Sequence, residues 1–380
     1  MSSIAILGCG NVGFFLAAHL IHNNHHAIGN PLNNNKILLV GGQRLFDDLN
    51  NSKKLLLTLN NQFGENEDDE IIVPRNQIDY TTNLKDLINF QPDYILVTLK
   101  SNKLKEVFRE LKELNGSKTV IVTIQNGIHN ADTIQQLLPN IKIISGVNYY
   151  NIQYNQDCHF TRKGSYNDGL IILEEKPETK QIMEIFKQSE LTVKTTTQIK
   201  NVQYGKLLLS LSNSIIALSG LTHEEYMNSK SFRKIQAYCQ WETIELFNHY
   251  GISPITFNYS LPPKSVPYLL VAPDWLVQPI KNNNNFIIRT EEFNMSQDFT
   301  LGKMTEINEL QGEIIKMSKM KIIEGGIDKV PYNHGIYKLV KEVEKKINSS
   351  DCKRWTHGFS AEEILKYINN GELPEILKIN

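Results

Sequence analysis

Apolar residues in the first half of the chain fall in short unbroken runs. Residues 4–7 read IAIL, 37–40 ILLV, 94–99 YILVTL, 119–124 TVIVTI and 141–147 IKIISGV. Runs without alternation suit strands covered on both faces, as in a parallel sheet. Between several of them the period becomes helical, as in NLKDLI (83–88) and NKLKEVFRELKEL (102–114). Strands spaced by helices predict βαβ units. Two further strand patterns, GSYNDGLIILEE (164–175) and LTVKTTTQI (191–199), close this half. From about Asn201 the periodic segments are helical: 202–219, 230–250, 294–324 and 333–347. Between the second and third of these, residues 253–286 are rich in Pro, aromatics and Asn and predict an irregular excursion. No internal repeat is visible. The expected fold is α/β, a doubly wound parallel sheet over 1–198 followed by an all-α domain over 199–380.

Composition narrows the function. The chain has 380 residues, 41% of them apolar, a formal net charge of −1 and a pI near 6.8. That balance gives no electrostatic case for nucleic acid or a membrane surface. No basic, apolar leader is seen, and no apolar run reaches the roughly 20 residues of a spanning helix. Cys9, Cys158, Cys239 and Cys352 show no C-x-x-C spacing. Free thiols of this kind suit a reducing compartment, so a cytoplasmic protein without disulfides or zinc is expected. The Asn clusters at 33–35 and 282–285 and the acidic run NEDDE (66–70) read as solvated loops.

One strand-to-helix junction carries chemistry. ILGCGNVG (6–13) places Gly8, Gly10 and Gly13 in G-x-G-x-x-G between a strand and a helix. The first glycine permits the tight turn, the second lets a pyrophosphate approach, and the third lets the helix pack on the strand. The anion then meets the helix N-terminus, lined by Cys9, Asn11 and Val12. This context predicts a Rossmann-type site. The second strand ends VGGQRLFDD, with no acid at its tip and Arg44 four residues after Val40. A guanidinium suits a 2′-phosphate, which favours NADP(H) over NAD. The alternative is that Asp47 or Asp48 reaches a ribose while Arg44 is solvated.

Reduction of a ketone also needs a proton donor and groups that hold substrate. VTLKS puts Lys100, and VTIQNG puts Asn126, just beyond strand ends that border such a cofactor crevice. In VQYGKLLLSLSNSIIALSG, Lys206, Ser210, Asn213 and Ser214 fall at i, i+4, i+7 and i+8, one polar stripe on an otherwise apolar helix. Burial makes an ammonium a readier proton donor, so Lys206 is a candidate general acid. A lysine that snorkels from the helix start is the rival reading.

ILGCGNVG, VTLK, QNG, YGKLL and MSQDFTLGKMTEINELQGEII, in this order, resemble the ketopantoate reductase (2-dehydropantoate 2-reductase) family. The resemblance runs from residue 3 to about 345 and includes VPYNHGIYKLV. It implies an NADP-binding Rossmann domain joined to a helical domain, with substrate between them. It also implies reduction of 2-dehydropantoate to pantoate in pantothenate and coenzyme A biosynthesis. Lys206 matches the family's catalytic lysine and Glu306 its glutamate near the nicotinamide ribose and substrate. Asn126 and Lys100 match groups lining the cleft, and Arg44 the 2′-phosphate region. Two features depart from the pattern. Ser210 and Ser214 stand where the family often has asparagines, with Asn213 one residue away. Asn294 stands where the family has a carboxylate-binding serine, with Ser296 nearby. Both residue types donate to a carboxylate, so a 2-oxo acid remains the expected partner. A homodimer is compatible with this reading.

Rival readings are a reductase of another 2-oxo acid on the same fold and an NADP-binding sensor without catalysis. His19, His22, His25 and His26 have spacings a metal would accept, but they read as the polar end of the first helix, and no metal is expected. Glu306 would lie in a long amphipathic helix.

Overall fold

The computed structural model describes residues 2–26, 35–59, 69–163, 169–257, 261–281, 294–320, 329–349 and 354–378. Asn33, Asn34, the 282–285 run and Cys352 lie outside them. The chain divides into two compact units, Met1–Ile199 and Lys200–Asn380.

Among the described residues the first unit carries twelve strands. β1 (Ser3–Leu7), β2 (Lys36–Val40), β3 (Lys54–Leu59), β4 (Asp69–Pro74), β5 (Asp79–Thr81) and β6 (Tyr94–Val97) come first. β7 (Val120–Thr123), β8 (Lys142–Asn148), β9 (Asn151–Tyr154), β10 (His159–Lys163), β11 (Ile171–Glu174) and β12 (Val193–Thr196) follow. Its helices are α1 (Asn11–His26), α2 (Gln43–Ser52), α3 (Leu84–Phe90), α4 (Leu104–Glu110), α5 (Asn130–Leu137) and α6 (Thr179–Gln188). Eight strands form one sheet in the order β12-β11-β8-β7-β6-β1-β2-β5. The run from β8 to β5 is parallel, while β11 pairs antiparallel with β8 and carries β12 with it. Both faces are buried, as the unbroken runs require. Ile4, Ile6, Leu39 and Leu96 pack in one core with α1, while Ala5, Leu7, Val40 and Val97 pack in another with α4.

A second sheet, β4-β3-β10-β9, was not expected. α1 packs against all four of its strands as well as against β1 and β2. The first helix is therefore covered on both sides, which explains its all-round apolar sequence FFLAAHLI (14–21).

The second unit is helical: α7 (Ile199–Ser210), α8 (Ser212–Ser219), α9 (His223–Asn228), α10 (Lys230–His249), α11 (Val266–Leu270) and α12 (Asp274–Lys281). α13 (Asn294–Thr300), α14 (Gln311–Ser318), α15 (Pro331–Asn348), α16 (Ala361–Asn370) and α17 (Glu375–Lys378) complete it. Two expectations are corrected. The helix expected over 202–219 breaks at Leu211, and the one expected over 294–324 is two short helices separated by residues 301–310. Gly302 at φ 65° begins that interruption. The tail beyond α15 joins the core: Trp355 N–H donates to Phe299 O (3.0 Å) and Phe359 N–H to Leu218 O (2.8 Å), with both rings buried. Among the described residues, no helix is long and apolar enough to cross a membrane.

Candidate active site

In the first unit the site grows from strand register. Leu7 of β1 sits opposite Val40 of β2 and Val97 of β6, and Val97 opposite Thr123 of β7. The loops that follow these strands therefore leave one edge of the sheet together. They hold residues 8–13, 41–44, 98–100 and 124–126. β1 is also where the chain order reverses, with β2 on one side and β6 on the other, the switch point at which such sheets bind ligands.

The three glycines differ in their surroundings. Gly8 has φ 107°, and a Cβ there would lie 2.6 Å from Leu99 N. A Cβ on Gly13 would collide with the Gly8 carbonyl oxygen. Gly10 is exposed, and a Cβ there would meet nothing within 4 Å. Two glycines thus close the turn and the third leaves space above it. The first turn of α1 carries no acid that would repel an anion. Thr98 Oγ1 donates to Gly8 O, and Asn11 Nδ2 donates to Ile152 O (2.9 Å). Asn11 thereby ties the turn to the second sheet. Cys9 is buried, and desolvation lifts its thiol well above the ordinary range. Val12 is half-buried against the core. Tyr80 OH donates to Gly42 O (3.0 Å), and its oxygen and Cys9 Sγ fill the space a Cβ on Gly41 would need.

Arg44 lies in the first turn of α2, its side chain 56% exposed and 3.9 Å from Asp48. Asp47 accepts from Gln43 Nε2 (2.8 Å). Lys100 is half-buried at the start of the 98–103 loop. Two bonds join that loop to the next: Ser101 Oγ donates to Asn126 O (2.9 Å) and Gln125 Nε2 to Leu99 O (2.5 Å). Gly127 follows at φ 97°, a turn that favours glycine. Thr98, Tyr80, Ser101 and Gln125 were not singled out in the sequence. Thr98, Ser101 and Gln125 lie inside the quoted VTLKS and VTIQNG stretches, while Tyr80 carried no signal. His19 is buried with Nδ1 3.1 Å from Ser189 O, and burial with Arg162 nearby holds it neutral, near 3. Among the described residues no cluster of three or more His, Cys, Asp or Glu is placed to hold a metal ion.

In the second unit Lys206 and Ser210 are buried on α7, the lysine only 8% exposed. Gly205 is forced by contact, since a Cβ there would collide with Ile255 O. The break at Leu211 separates these residues from Asn213 and Ser214 on α8, so the expected single stripe is two short ones. Asn213 is buried, and its Oδ1 has no partner among the described residues. Ser214 is fully enclosed and donates to Leu211 O (3.1 Å), so its hydroxyl serves the backbone. Ser296 is half-buried on α13, which packs on α8. The side chain of Asn294 lies outside the described residues.

Glu306 is half-buried in a bend rather than a helix. Glu344 builds that bend: buried on α15, it accepts from Thr305 N (2.8 Å) and Oγ1 (2.6 Å) and pairs with Lys341 (2.7 Å). Glu309 follows one turn later. Burial, and then the charge of Glu306, lifts its carboxyl from 4.5 to about 7.

The "Ketopantoate reductase PanE/ApbA" family model matches residues 4–173, and the "Ketopantoate reductase PanE/ApbA C terminal" model matches residues 198–344. The chain belongs to the ketopantoate reductase family. No curated protein matches it in sequence. Solved structures share its fold. A PanE/ApbA family ketopantoate reductase from Ralstonia eutropha JMP134 is 18% identical, with a TM-score of 0.69 over 90% of this chain and 99% of its own. D-Mandelate dehydrogenase, with NADH and anilino(oxo)acetate, is 18% identical, with a TM-score of 0.67 over 91% and 99%. A dimeric ketopantoate reductase from Staphylococcus aureus is 19% identical, with a TM-score of 0.59 over 90% and 99%. The family match stops at residue 344, so the tail that caps α8 and α13 lies beyond it.

Two predictions follow from this geometry. Gly13→Ala forces the Gly8 carbonyl to move and costs about 1–3 kcal/mol, whereas Gly10→Ala stays within about 0.5 kcal/mol yet weakens dinucleotide binding. Urea unfolding and dinucleotide titration measure the two effects separately. Glu309, with its folded pKa raised, keeps a proton that the unfolded chain has released between about pH 4.5 and 7. Its contribution to stability is full at the acid end and falls as pH rises through that window. The thermal midpoint of Glu309→Gln relative to wild type should therefore rise from pH 5 to pH 8. A flat difference would mean the carboxyl is not raised.

Proposed function

We propose that the chain is an NADPH-dependent 2-oxo acid reductase, with 2-dehydropantoate as first substrate and pantoate as product. The observation that carries this reading is Lys206, an ammonium held in an apolar helix, where a buried charge is costly unless it is paired or functional. The glycine turn supports the cofactor assignment: Gly10 is open, and the N-terminus of α1 can receive a pyrophosphate. When bound, reduced nicotinamide supplies the hydride. Lys206 Nζ gives a proton to the substrate's carbonyl oxygen as negative charge develops there, so the ketone becomes an alcohol. Asn213 Oδ1, buried and unpaired among the described residues, would accept from the substrate, and Ser210 would add a hydroxyl. Asn126 and Lys100 hold the cofactor side, Asn294 or Ser296 the substrate carboxylate, and Glu306 a neighbouring hydroxyl. Ser214 would act by supporting Leu211 rather than by touching substrate.

Arg44 supports NADP over NAD. Its pair with Asp48 is long and exposed, which makes it weak and easily exchanged for a 2′-phosphate. Asp47 is already engaged by Gln43. A second reading, reduction of a different 2-oxo acid, is favoured by Ser210 and Ser214 in place of the family's asparagines.

The test is NADPH oxidation at 340 nm with 2-dehydropantoate and a panel of branched and aromatic 2-oxo acids. Lys206→Ala should retain NADPH binding and lose about 10²–10⁴-fold in kcat. Unchanged turnover would remove the mechanism. Arg44→Ala should raise KM for NADPH roughly 10–100-fold and leave KM for NADH near its starting value. An equal effect on both cofactors would return the ribose-binding role to an acid.

A further inference from the structure

The interruption at Leu211 is built in. A break in a buried helix leaves carbonyls without their usual i+4 partners, and each needs another donor. Here side-chain donors gather on the carbonyls around the break, Leu211 O at the N-cap of α8 taking one from Ser214 Oγ as well. Ser212 Oγ, at the start of α8, donates to Leu209 O (3.1 Å). Gln240 of α10 donates its Nε2 to Leu208 O (3.1 Å). Gln311, the first residue of α14, donates its Nε2 to Leu211 O (2.9 Å). Both glutamines are 0% exposed, and among the described residues neither Oε1 has a partner. Burying two such amides is costly, so a core that needed only packing would hold leucine or methionine there.

Gln311 lies five residues after Glu306. The bend between them is closed on itself: Glu309 N–H donates to Glu306 O (3.0 Å) and Gly312 N–H to Ile307 O (2.9 Å). Glu344 fixes its start. A short, stiff path thus runs from Glu306 through the Gln311 amide to the carbonyl at the break, whose two sides carry Lys206 with Ser210 and Asn213.

We propose that Gln311, with Gln240 beside it, is a positioning residue for the reaction, setting where Lys206 stands relative to Glu306. The proposal rests on the reading of Lys206 given above. Neither glutamine touches substrate. Each acts by holding a backbone carbonyl at the break, and a misplacement of about 1 Å at such a site costs up to about 100-fold in rate.

The test replaces donors with apolar side chains of similar length, Gln311→Met and Gln240→Met, in the full chain. For Gln311→Met, kcat with the oxo acid should fall roughly 10–100-fold. NADPH affinity, read by nucleotide fluorescence, should stay within about twofold, because the glycine turn belongs to the other unit. The alkaline limb of the kcat–pH profile should shift, since the surroundings of the proton donor change. A kcat within twofold of wild type and an unmoved profile would overturn the proposal. So would a loss matched by equal losses in NADPH affinity and thermal midpoint, which marks general destabilisation. Gln240→Met, read the same way, carries the test if Gln311→Met does not fold. Lys206→Ala run in parallel separates the two failures. If it is silent, the assigned reaction fails and this proposal with it. If it is inactive while both glutamine variants turn over normally, only the positioning role fails.

Discussion

Everything proposed for the first unit depends on the parallel register of β1 with its two neighbours. Leu7 faces Val40 and Val97, so the turns after β1, β2 and β6 leave the sheet at one level. Slipping one strand by a residue would turn its buried side chains to the opposite face. Both faces are core, and the register is held by packing on each side. The glycine turn, Arg44 and Lys100 therefore follow strands that end at the same edge of the sheet. Thr98 onto Gly8 and Ser101 onto Asn126 fasten adjacent loops at that edge, and Tyr80 of β5 fastens the loop after β2 at Gly42.

The second unit solves a different problem. A lysine and an asparagine oxygen without a partner among the described residues sit among leucines and isoleucines, where polar groups are expensive. The helix carrying them is interrupted, and the carbonyls near the break are covered by buried amides and hydroxyls. Polar groups are thus gathered in one place. The carboxylate of Glu344 does the same for the bend that carries Glu306.

The parallel strands were readable because burial on both faces leaves unbroken apolar runs. The glycine spacing was readable because each glycine answers a local steric demand. The second sheet was not. KLLLTL (54–59) alternates buried and half-buried residues directly after a helix, and NIQY and HFTRK are polar edge-like strands. Only their pairing through space identifies them. The break at Leu211 was hidden because the apolar period runs through it, and the amides that bond its carbonyls lie in α10 and α14, far along the chain. The interruption at 301–310 had a local cue in Gly302, outweighed by the apolar period on either side. Glu344, Gln240 and Gln311 left no local mark, since a buried polar residue declares itself only through its distant partner.

The most direct test of the central claim follows the transferred hydrogen. Purified protein would be given NADPH carrying deuterium at both nicotinamide C4 positions, together with 2-dehydropantoate, and the product analysed by mass spectrometry. The account predicts a 2-hydroxy acid with one deuterium at C2, formed in step with NADPH oxidation and lost in the Lys206→Ala protein. Absence of label from that product, and from the products of the other 2-oxo acids, with NADPH bound and unconsumed, would contradict it.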